Sequence, residues 1–232
     1  MDSVVIGNGL LAKAFSKASV NNCLFFCSGV SNSSETRKEA FDREEALLRS
    51  SIIEHSNKCV VYFSSVSAPK VDSCYFNHKI NMEKVIVENT KDYIIFRLPQ
   101  VAGAVVNSTL LSYITQNIYL GNHFKVFKNA TRTIVDIEDI VKVFELIYTQ
   151  SNRKMTLNIC PNYSFDPETL AQLISKNLGI EALYEVVNAG SPQTCELDNS
   201  IESQIISDFF YNQPRYLEKL VEKYVTQIIS LL

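Results

Sequence analysis

Tyr75 and Lys79 form the pair in this sequence best suited to moving a proton. They stand four positions apart, so in a helix they lie on the same face. A lysine ammonium beside a phenol favours the phenolate, which predicts a tyrosine pKa drawn down from about 10 and a side chain able to exchange a proton with a substrate hydroxyl. The segment Phe63-Ser64-Ser65-Val66-Ser67 precedes the pair, and one of its hydroxyls could orient the same oxygen. Taken alone, this spacing of tyrosine and lysine is common by chance and is more often a half-exposed aromatic ring beside a solvated lysine; the serine run and a glycine-rich turn favour the catalytic interpretation.

A glycine-rich turn near the start of the chain points to a dinucleotide. Gly7-Asn8-Gly9-Leu10-Leu11-Ala12 matches G-x-G-x-x-[GA], directly after an apolar run and before a helical pattern. The first glycine permits the tight turn, and the second lets the backbone approach a pyrophosphate at the helix N-terminus. The same turn could also be only a tight connection between strand and helix.

The elements that must position these residues alternate along the first half of the chain. Short apolar runs rich in β-branched and aromatic residues predict strands over Val4–Ile6, Cys23–Cys27, Cys59–Ser64 and Tyr93–Leu98. Amphipathic patterns between them predict helices over Leu10–Ala18, Ser34–His55 and Tyr75–Asn89. This order predicts an α/β fold, a Rossmann-type doubly wound parallel sheet with right-handed crossovers.

The second half predicts a small lobe in the same single domain. Helical patterns cover Leu110–Tyr119, Ile137–Gln150, Pro167–Leu178 and Tyr216–Leu232, and short strands are predicted over Lys125–Phe127 and Thr156–Ile159. Asp166 should cap the third of these helices, with Pro167 in its first turn. The polar segment 189–207 is predicted to be a mobile loop. We therefore expect a dinucleotide-binding core over 1–160 and a substrate lobe over 161–232, with parts of 103–135.

Composition excludes several classes of partner. A net charge of -3 offers no basic field for nucleic acid, and no apolar run is long enough to cross a membrane. No basic, cleavable leader precedes the first strand, so a cytoplasmic location is expected. The six cysteines form no CxxC pair and are expected to be reduced thiols, and the three histidines lack the spacing of metal ligands.

Taken together, these motifs resemble the extended short-chain dehydrogenase/reductase family, in its sugar-nucleotide epimerase, dehydratase and reductase branch. Four further stretches resemble the family in order, up to about Ile159. They are Phe25 to Val30, Phe96 to Gly103, Arg132 to Asp139 and Leu157 to Ile159.

The resemblance implies a role for each matching residue. Tyr75 would be the general acid/base, Lys79 would lower its pKa and hold the nicotinamide ribose, and Ser65 would orient the substrate, with Ser64 or Ser67 as alternatives one or two positions away. The implied contacts to NAD or NADP are Gly7, Asn8, Gly9, Leu10, Leu11, Ser28, Gly29, Lys79 and Pro99. Ser67 and Arg132 would bind the nucleotide sugar, with Arg132 on its diphosphate or, equally, only a structural arginine.

The chain also departs from the family. Only one helix and a turn separate Gly9 from Phe25, which leaves no room for two strands that the family places there with an acidic clamp on the adenosine ribose. NAD and NADP therefore cannot be distinguished. The interval from Ser65 to Tyr75 is also short, which predicts an open site.

Function follows from the resemblance as a set of hypotheses. The first is an NAD(P)-dependent oxidoreductase or epimerase acting on a nucleotide-linked sugar in surface polysaccharide biosynthesis, with 4-keto reduction favoured. The alternatives are a non-catalytic nucleotide-sugar or dinucleotide binding module derived from the family, and a dehydratase or isomerase without dissociable cofactor. A homodimer could form through the predicted helices Ser34–His55 and Tyr75–Asn89, which carry Leu47, Leu48, Ile52 and Ile53.

Overall fold

The strands and helices follow the predicted alternation closely. A computed structural model of the chain describes residues 2–150, 153–211, 213 and 215–232. In these residues the strands are β1 (Val4–Ile6), β2 (Cys23–Phe26), β3 (Cys59–Ser65), β4 (Tyr93–Leu98), β5 (Gln100–Ala102), β6 (Phe124–Phe127), β7 (Ile134–Asp136), β8 (Lys154–Asn158) and β9 (Tyr184–Val187). The helices are α1 (Leu10–Phe15), α2 (Lys38–Glu54), α3 (Cys74–Asn89), α4 (Leu110–Tyr119), α5 (Ile137–Gln150), α6 (Pro167–Leu178), α7 (Ile201–Tyr211) and α8 (Tyr216–Ile229).

The main sheet has five parallel strands in the order β1-β2-β3-β4-β8. Helices cover both faces, so the predicted Rossmann-type α/β fold is confirmed. Within the described residues β1 is an edge strand, with β2 as its neighbour. No further strand lies beyond β1 in the described part of the chain, as the short interval after Gly9 predicted.

The two faces of the sheet are packed by different helices. On β2, Phe25 packs in a cluster with Phe15 of α1 and Phe144 of α5. The next residue, Phe26, packs in a second cluster. That second cluster contains Leu48 of α2 and Met82 of α3. Alternate residues of a strand point to opposite faces, so α1 and α5 lie on one face, and α2 and α3 on the other.

One connection departs from the expected right-handed crossovers. The connections through α1, α2 and α3 each step one strand in the same direction across the sheet. Because α1 lies on the opposite face from α2 and α3, its connection has the opposite hand. The physical reason is packing: Phe15 of α1 contacts Phe25, Phe63 and Phe144 on that face, and only a short turn separates α1 from β2.

The second half builds a lobe from elements that lie outside the main sheet. Two small parallel pairs, β5 with β7 and β6 with β9, pack with α4, α6 and α8. Asp166 caps α6 as predicted, accepting a hydrogen bond from the backbone N–H of Thr169 at 2.9 Å. The expected loop over 189–207 is wrong at its end, because α7 begins at Ile201. Ile206 and Phe210 lie on one face of this helix and pack into the core. The polar residues around them made this helical pattern hard to recognise in the sequence.

The expectation of six reduced cysteines is also wrong. Cys160 and Cys195 form a disulfide with their Cα atoms 5.6 Å apart. Cys23 and Cys59 are buried free thiols, and Cys74 is an exposed one. Sequence spacing concealed the disulfide, because the two cysteines are 35 residues apart and only the fold brings them together.

Helices of the described residues are too short or too polar to cross a membrane.

Of the four apolar residues considered for a dimer face, Leu48 and Ile52 pack against the sheet, Leu47 is partly buried, and Ile53 is 77% exposed.

Candidate active site

The glycine-rich turn connects the carboxyl end of β1 to α1. Gly7 adopts φ +123°, and a Cβ at this residue would lie 2.7 Å from the carbonyl oxygen of Cys27. Gly9 caps α1 with φ -77°, and a Cβ there would meet nothing within 4 Å. The turn is exposed from Gly7 to Gly9, while Leu10 and Leu11 are half-buried. Gly7 is therefore required by the fold, and Gly9 leaves open space in which a ligand could approach the backbone.

Gly7→Ala is expected to destabilise the protein by about 2 kcal/mol or more, because the substitution combines a strained positive φ with a backbone clash at Cys27. Urea unfolding of the two proteins measures the difference. Gly9→Ala is the matched control, since its Cβ enters empty space at an ordinary φ. Equal stability of the Gly7 and Gly9 variants would contradict the structural requirement assigned to Gly7.

The Lys79 ammonium lies in a buried polar cluster. Nζ donates to Oε1 of Glu44 and to the hydroxyl of Tyr62, both at 3.1 Å, and the side chain is 3% exposed. Glu44 is fully buried and also accepts from the Tyr62 hydroxyl at 2.7 Å and from the backbone N–H of Val30 at 2.6 Å. Nε2 of His78 lies 3.0 Å from its second oxygen.

These contacts decide the charges in the cluster. Burial by itself would raise the pKa of Glu44, but the contacts of its carboxylate with His78, Lys79, Val30 and Tyr62 outweigh burial and lower the pKa to about 2. Burial lowers the pKa of Lys79, and Glu44 opposes that change. The cluster therefore holds a paired charge on Lys79 rather than a free ammonium.

The structure corrects the expectation that Lys79 draws the pKa of Tyr75 downward. Burial raises the pKa of Tyr75 to about 12, and the negative charge of Glu44 adds to the effect. Nζ of Lys79 lies 5.6 Å from the centroid of the Tyr75 ring, against its face. Glu44 neutralises the ammonium that would stabilise a phenolate, so Tyr75 is a neutral phenol at pH 7.

The serine run ends β3 and turns toward α3. Ser64 is buried and donates to Oε1 of Glu83 at 2.5 Å, and Arg97 binds both oxygens of that carboxylate. Ser65 is half-buried, and its Oγ accepts a hydrogen bond from the backbone N–H of Ser67 at 3.2 Å. Ser64 is thus committed to an ion-pair cluster, which leaves Ser65 and Ser67 as the more available hydroxyls.

The other residues predicted to bind the cofactor lie at the same edge of the sheet. Gly7 packs against Ser28: a Cβ on Gly7 would lie 3.2 Å from the backbone nitrogen of Ser28. Gly29 packs against Lys79: a Cβ on Gly29 would lie 2.8 Å from Nζ of Lys79. Pro99 is buried just beyond β4, beside the end of β3. Carboxyl ends of parallel strands meet at one edge, where ligands of open α/β sheets bind.

Arg132 lies in the lobe, beside a cleft of about 490 Å³. Among the lining side chains are Tyr113, Phe124 and Lys125. Nη1 of Arg132 donates to the carbonyl oxygens of Thr131 and Ser191, each at 2.8 Å. Burial lowers the pKa of this guanidinium.

Sequence reasoning missed the residues that surround Lys79. Glu44 shares a helical face with the apolar residues Leu48 and Ile52, and a carboxylate in that register is the signal that could have found it. Gln193 was hidden in the segment predicted to be a mobile loop. It donates from Nε2 to Oγ of Ser67 at 3.3 Å.

No family model matches the chain, and no curated protein matches it by sequence. Solved structures nevertheless share its fold. The dTDP-glucose 4,6-dehydratase of Bacillus anthracis, in complex with NAD, is 12% identical with a TM-score of 0.70, covering 90% of this chain and 73% of that chain. The UDP-glucose 4-epimerase of Thermus thermophilus, also in complex with NAD, is 11% identical with a TM-score of 0.69, covering 91% and 78%. The ADP-L-glycero-D-manno-heptose-6-epimerase of Helicobacter pylori is 15% identical with a TM-score of 0.70, covering 90% and 73%. The fold is therefore that of sugar-nucleotide epimerases and dehydratases, as the sequence resemblance implied.

Proposed function

We propose that this chain is an NAD(P)-dependent oxidoreductase or epimerase that acts on a nucleotide-linked sugar, with 4-keto reduction favoured. A cytoplasmic step in surface polysaccharide biosynthesis is the setting we infer. The observation that carries the proposal is that the glycine turn and Ser65 stand at the carboxyl ends of strands of one parallel sheet, where Nζ of Lys79 lies against Gly29 and over the ring of Tyr75. Several solved structures of this fold are complexes with NAD.

The glycine turn suits a dinucleotide. The open space above Gly9 and the first N–H groups of α1, which have no partner within the helix and no side-chain cap at Gly9 among the described residues, would receive the pyrophosphate, with Asn8, Leu10 and Leu11 beside it. Ser28, Gly29 and Pro99 would border the nicotinamide half. When bound, the cofactor supplies or accepts a hydride. The missing adenosine-binding half removes the ribose clamp, which is why we leave NAD and NADP as equal candidates.

The protonation of Tyr75 favours the reductive direction. A carbonyl that is reduced to an alcohol needs a proton on its oxygen, and a neutral phenol with a pKa of about 12 holds that proton at pH 7. Ser65, or Ser67 beside it, would donate a hydrogen bond to the same oxygen and orient it. Lys79, against the face of the tyrosine ring, would contact the cofactor ribose only if its bonds to Glu44 and Tyr62 are rearranged.

The lobe provides a place for the nucleotide. We take residues 1–160 as the dinucleotide-binding part and 161–232, with parts of 103–135, as the substrate part. The cleft beside Arg132 combines aromatic rings with two cations, which suits a base and a diphosphate. Ser67 and Arg132 would bind opposite ends of the substrate. A homodimer through α2 and α3 remains part of the proposal.

A non-catalytic binding module derived from this family is the second candidate. The engagement of Lys79 by Glu44 and Tyr62 favours it, since a lysine in that state does not activate a phenol. The missing adenosine half also favours weak or absent cofactor binding. Cofactor titration separates the two candidates first.

Calorimetric titration with NADH and NADPH is expected to give micromolar affinity for one of them, about -8 kcal/mol. Gly9→Val should weaken that binding by about tenfold or more, because the new side chain fills the open space over the turn. The thermal melt of this variant checks that the fold is retained. Absence of binding by both nucleotides would contradict the oxidoreductase and favour the module.

A further inference from the structure

A short segment joins the two residues predicted to bind the substrate. Residues 191–196, named here the strap, run from Arg132 to the end of β3. The backbone N–H of Gln193 donates to the carbonyl oxygen of Thr131 at 2.9 Å, and its Nε2 donates to Oγ of Ser67 at 3.3 Å. The carbonyl of Ser191 accepts from Nη1 of Arg132. One segment therefore contacts both Ser67 and the Arg132 region.

The strap is fastened at both ends. Gly190 precedes it with φ +97° and packs so closely on Ala130 that a Cβ would lie 2.8 Å from the alanine side chain. At its other end, Cys195 is bonded to Cys160, which lies just beyond β8. The backbone carbonyl of Glu196 also accepts from Nδ2 of Asn158 at 2.7 Å. The disulfide thus ties the strap to the carboxyl edge of the main sheet.

The strap orients the Arg132 guanidinium and occupies only one of its three nitrogen atoms. Nη1 is held by two carbonyl oxygens, while Nε and Nη2 make no hydrogen bond to any residue that the structure describes. Those two atoms form one edge of the guanidinium, and such an edge binds two oxygens of a phosphate at once. An arginine fixed in this way loses less side-chain entropy when it binds an anion.

Gln193 carries an unused acceptor. Its Oε1 is buried and has no hydrogen-bond partner in the described part of the chain. A buried acceptor without a partner costs free energy, which a hydroxyl of a bound ligand would recover. This atom belongs to the same side chain that donates to Ser67, so its position depends on the strap.

We propose that the strap, held by the Cys160–Cys195 disulfide, positions Ser67 at the sugar end and Arg132 at the diphosphate of a bound nucleotide sugar, and that reducing the disulfide weakens binding of the nucleoside diphosphate part. This inference rests on the proposed function, because it is the proposed function that assigns substrate binding to Ser67 and Arg132. Gln193, Cys160 and Cys195 are positioning residues.

The chemistry of release is thiol–disulfide exchange. A dithiol reductant gives two electrons and two protons: its thiolate attacks one sulfur, the Cys160–Cys195 bond breaks, both cysteines become thiols, and the reductant closes to a cyclic disulfide. The remaining bonds of the strap are single hydrogen bonds and one ion pair between Lys70 and Glu196 at 3.3 Å. Without the covalent anchor the strap loses its fixed position.

The experiment compares UDP and NAD(P)H binding to the oxidised protein, to the protein treated with a dithiol, and to the variant Cys160→Ser/Cys195→Ser. Loss of the disulfide is expected to weaken UDP binding by about tenfold and to leave cofactor binding unchanged, since no hydrogen bond or ion pair in the described part of the chain joins the glycine turn to the strap. Hydrogen exchange should rise in peptides of 189–198. Gln193→Ala, which keeps the disulfide, should also weaken UDP binding, and Cys74→Ser is the control for an unrelated thiol.

Each outcome supports or overturns the proposal. Equal or tighter binding of UDP after reduction, or unchanged exchange in the strap, overturns the positioning role while leaving the proposed function intact. A parallel loss of UDP and cofactor affinity would reveal general unfolding and also overturns it. Absence of UDP binding by every form, with cofactor bound, overturns the ligand assigned to the strap and contradicts the nucleotide-sugar part of the proposed function.

Discussion

Tyr75→Phe is expected to lower kcat for reduction of a nucleotide-linked keto sugar by about 10²- to 10⁴-fold, the usual contribution of a general acid. The substitution removes only the hydroxyl. The ring keeps its contacts with Phe76, at 5.1 Å between centroids, and with Lys79. Cofactor affinity and the melting temperature should therefore stay unchanged, so the loss is assigned to proton transfer. Oxidation of NAD(P)H in the presence of a panel of keto sugars is the measurement.

Tyr119→Phe is the matched control for this result. Tyr119 is 46% exposed at the end of α4, outside the proposed site, and its loss should leave turnover unchanged. If Tyr75→Phe turned over as fast as the parent protein, Tyr75 could not be the proton donor. If the parent protein bound cofactor and UDP without any turnover, the module would be the better description.

Glu44→Gln is expected to destabilise the protein by about 3–5 kcal/mol, because it leaves the ammonium of Lys79 buried without its counter-charge. Urea unfolding at pH 7 measures the difference. Glu45→Gln is the matched control on the neighbouring position of α2. Glu45 pairs with Arg49 at the surface, and its loss should cost about 0.5 kcal/mol.

The pH dependence of that difference has a definite sign. The pKa of Glu44 is lowered to about 2 in the folded protein and is about 4.3 when unfolded, so its ionised form stabilises the fold above the unfolded value. This contribution is lost as pH falls toward 2. The deficit of Glu44→Gln should therefore shrink between about pH 4 and pH 2.

A second substitution tests the cause. Removal of both charges, in Glu44→Gln/Lys79→Met, should recover part of the lost stability, since an apolar side chain needs no partner there. A double variant as unstable as the single one would show that the carboxylate acts through Tyr62 and Val30 rather than through Lys79. A Glu44→Gln protein as stable as the Glu45 control would contradict the role of the cluster altogether.

Local patterns carried most of the correct predictions. Gly7 and Gly9 follow a strand and open a helix within one short segment, so their conformations depend on neighbours that the sequence displays. The Asp166 cap is settled within one helical turn. The adjacency of Tyr75 and Lys79 likewise requires only that α3 be a helix. The missing strands could be recognised because a chain interval sets an upper limit on what it can contain.

What the sequence determined by itself was the α/β alternation, the glycine turn, the short interval between Gly9 and β2, and the residue types at the carboxyl edge. The tertiary structure alone decided that Glu44 reaches Lys79 across 35 residues, that Cys160 joins Cys195, and that Gln193 meets Ser67 across 126 residues. The spacing of two residues along the chain predicts their distance in space only within one helix or strand, where the backbone geometry is fixed. Between elements, proximity depends on which helix covers which face of the sheet, and the charge of Lys79 and the protonation of Tyr75 follow from that packing.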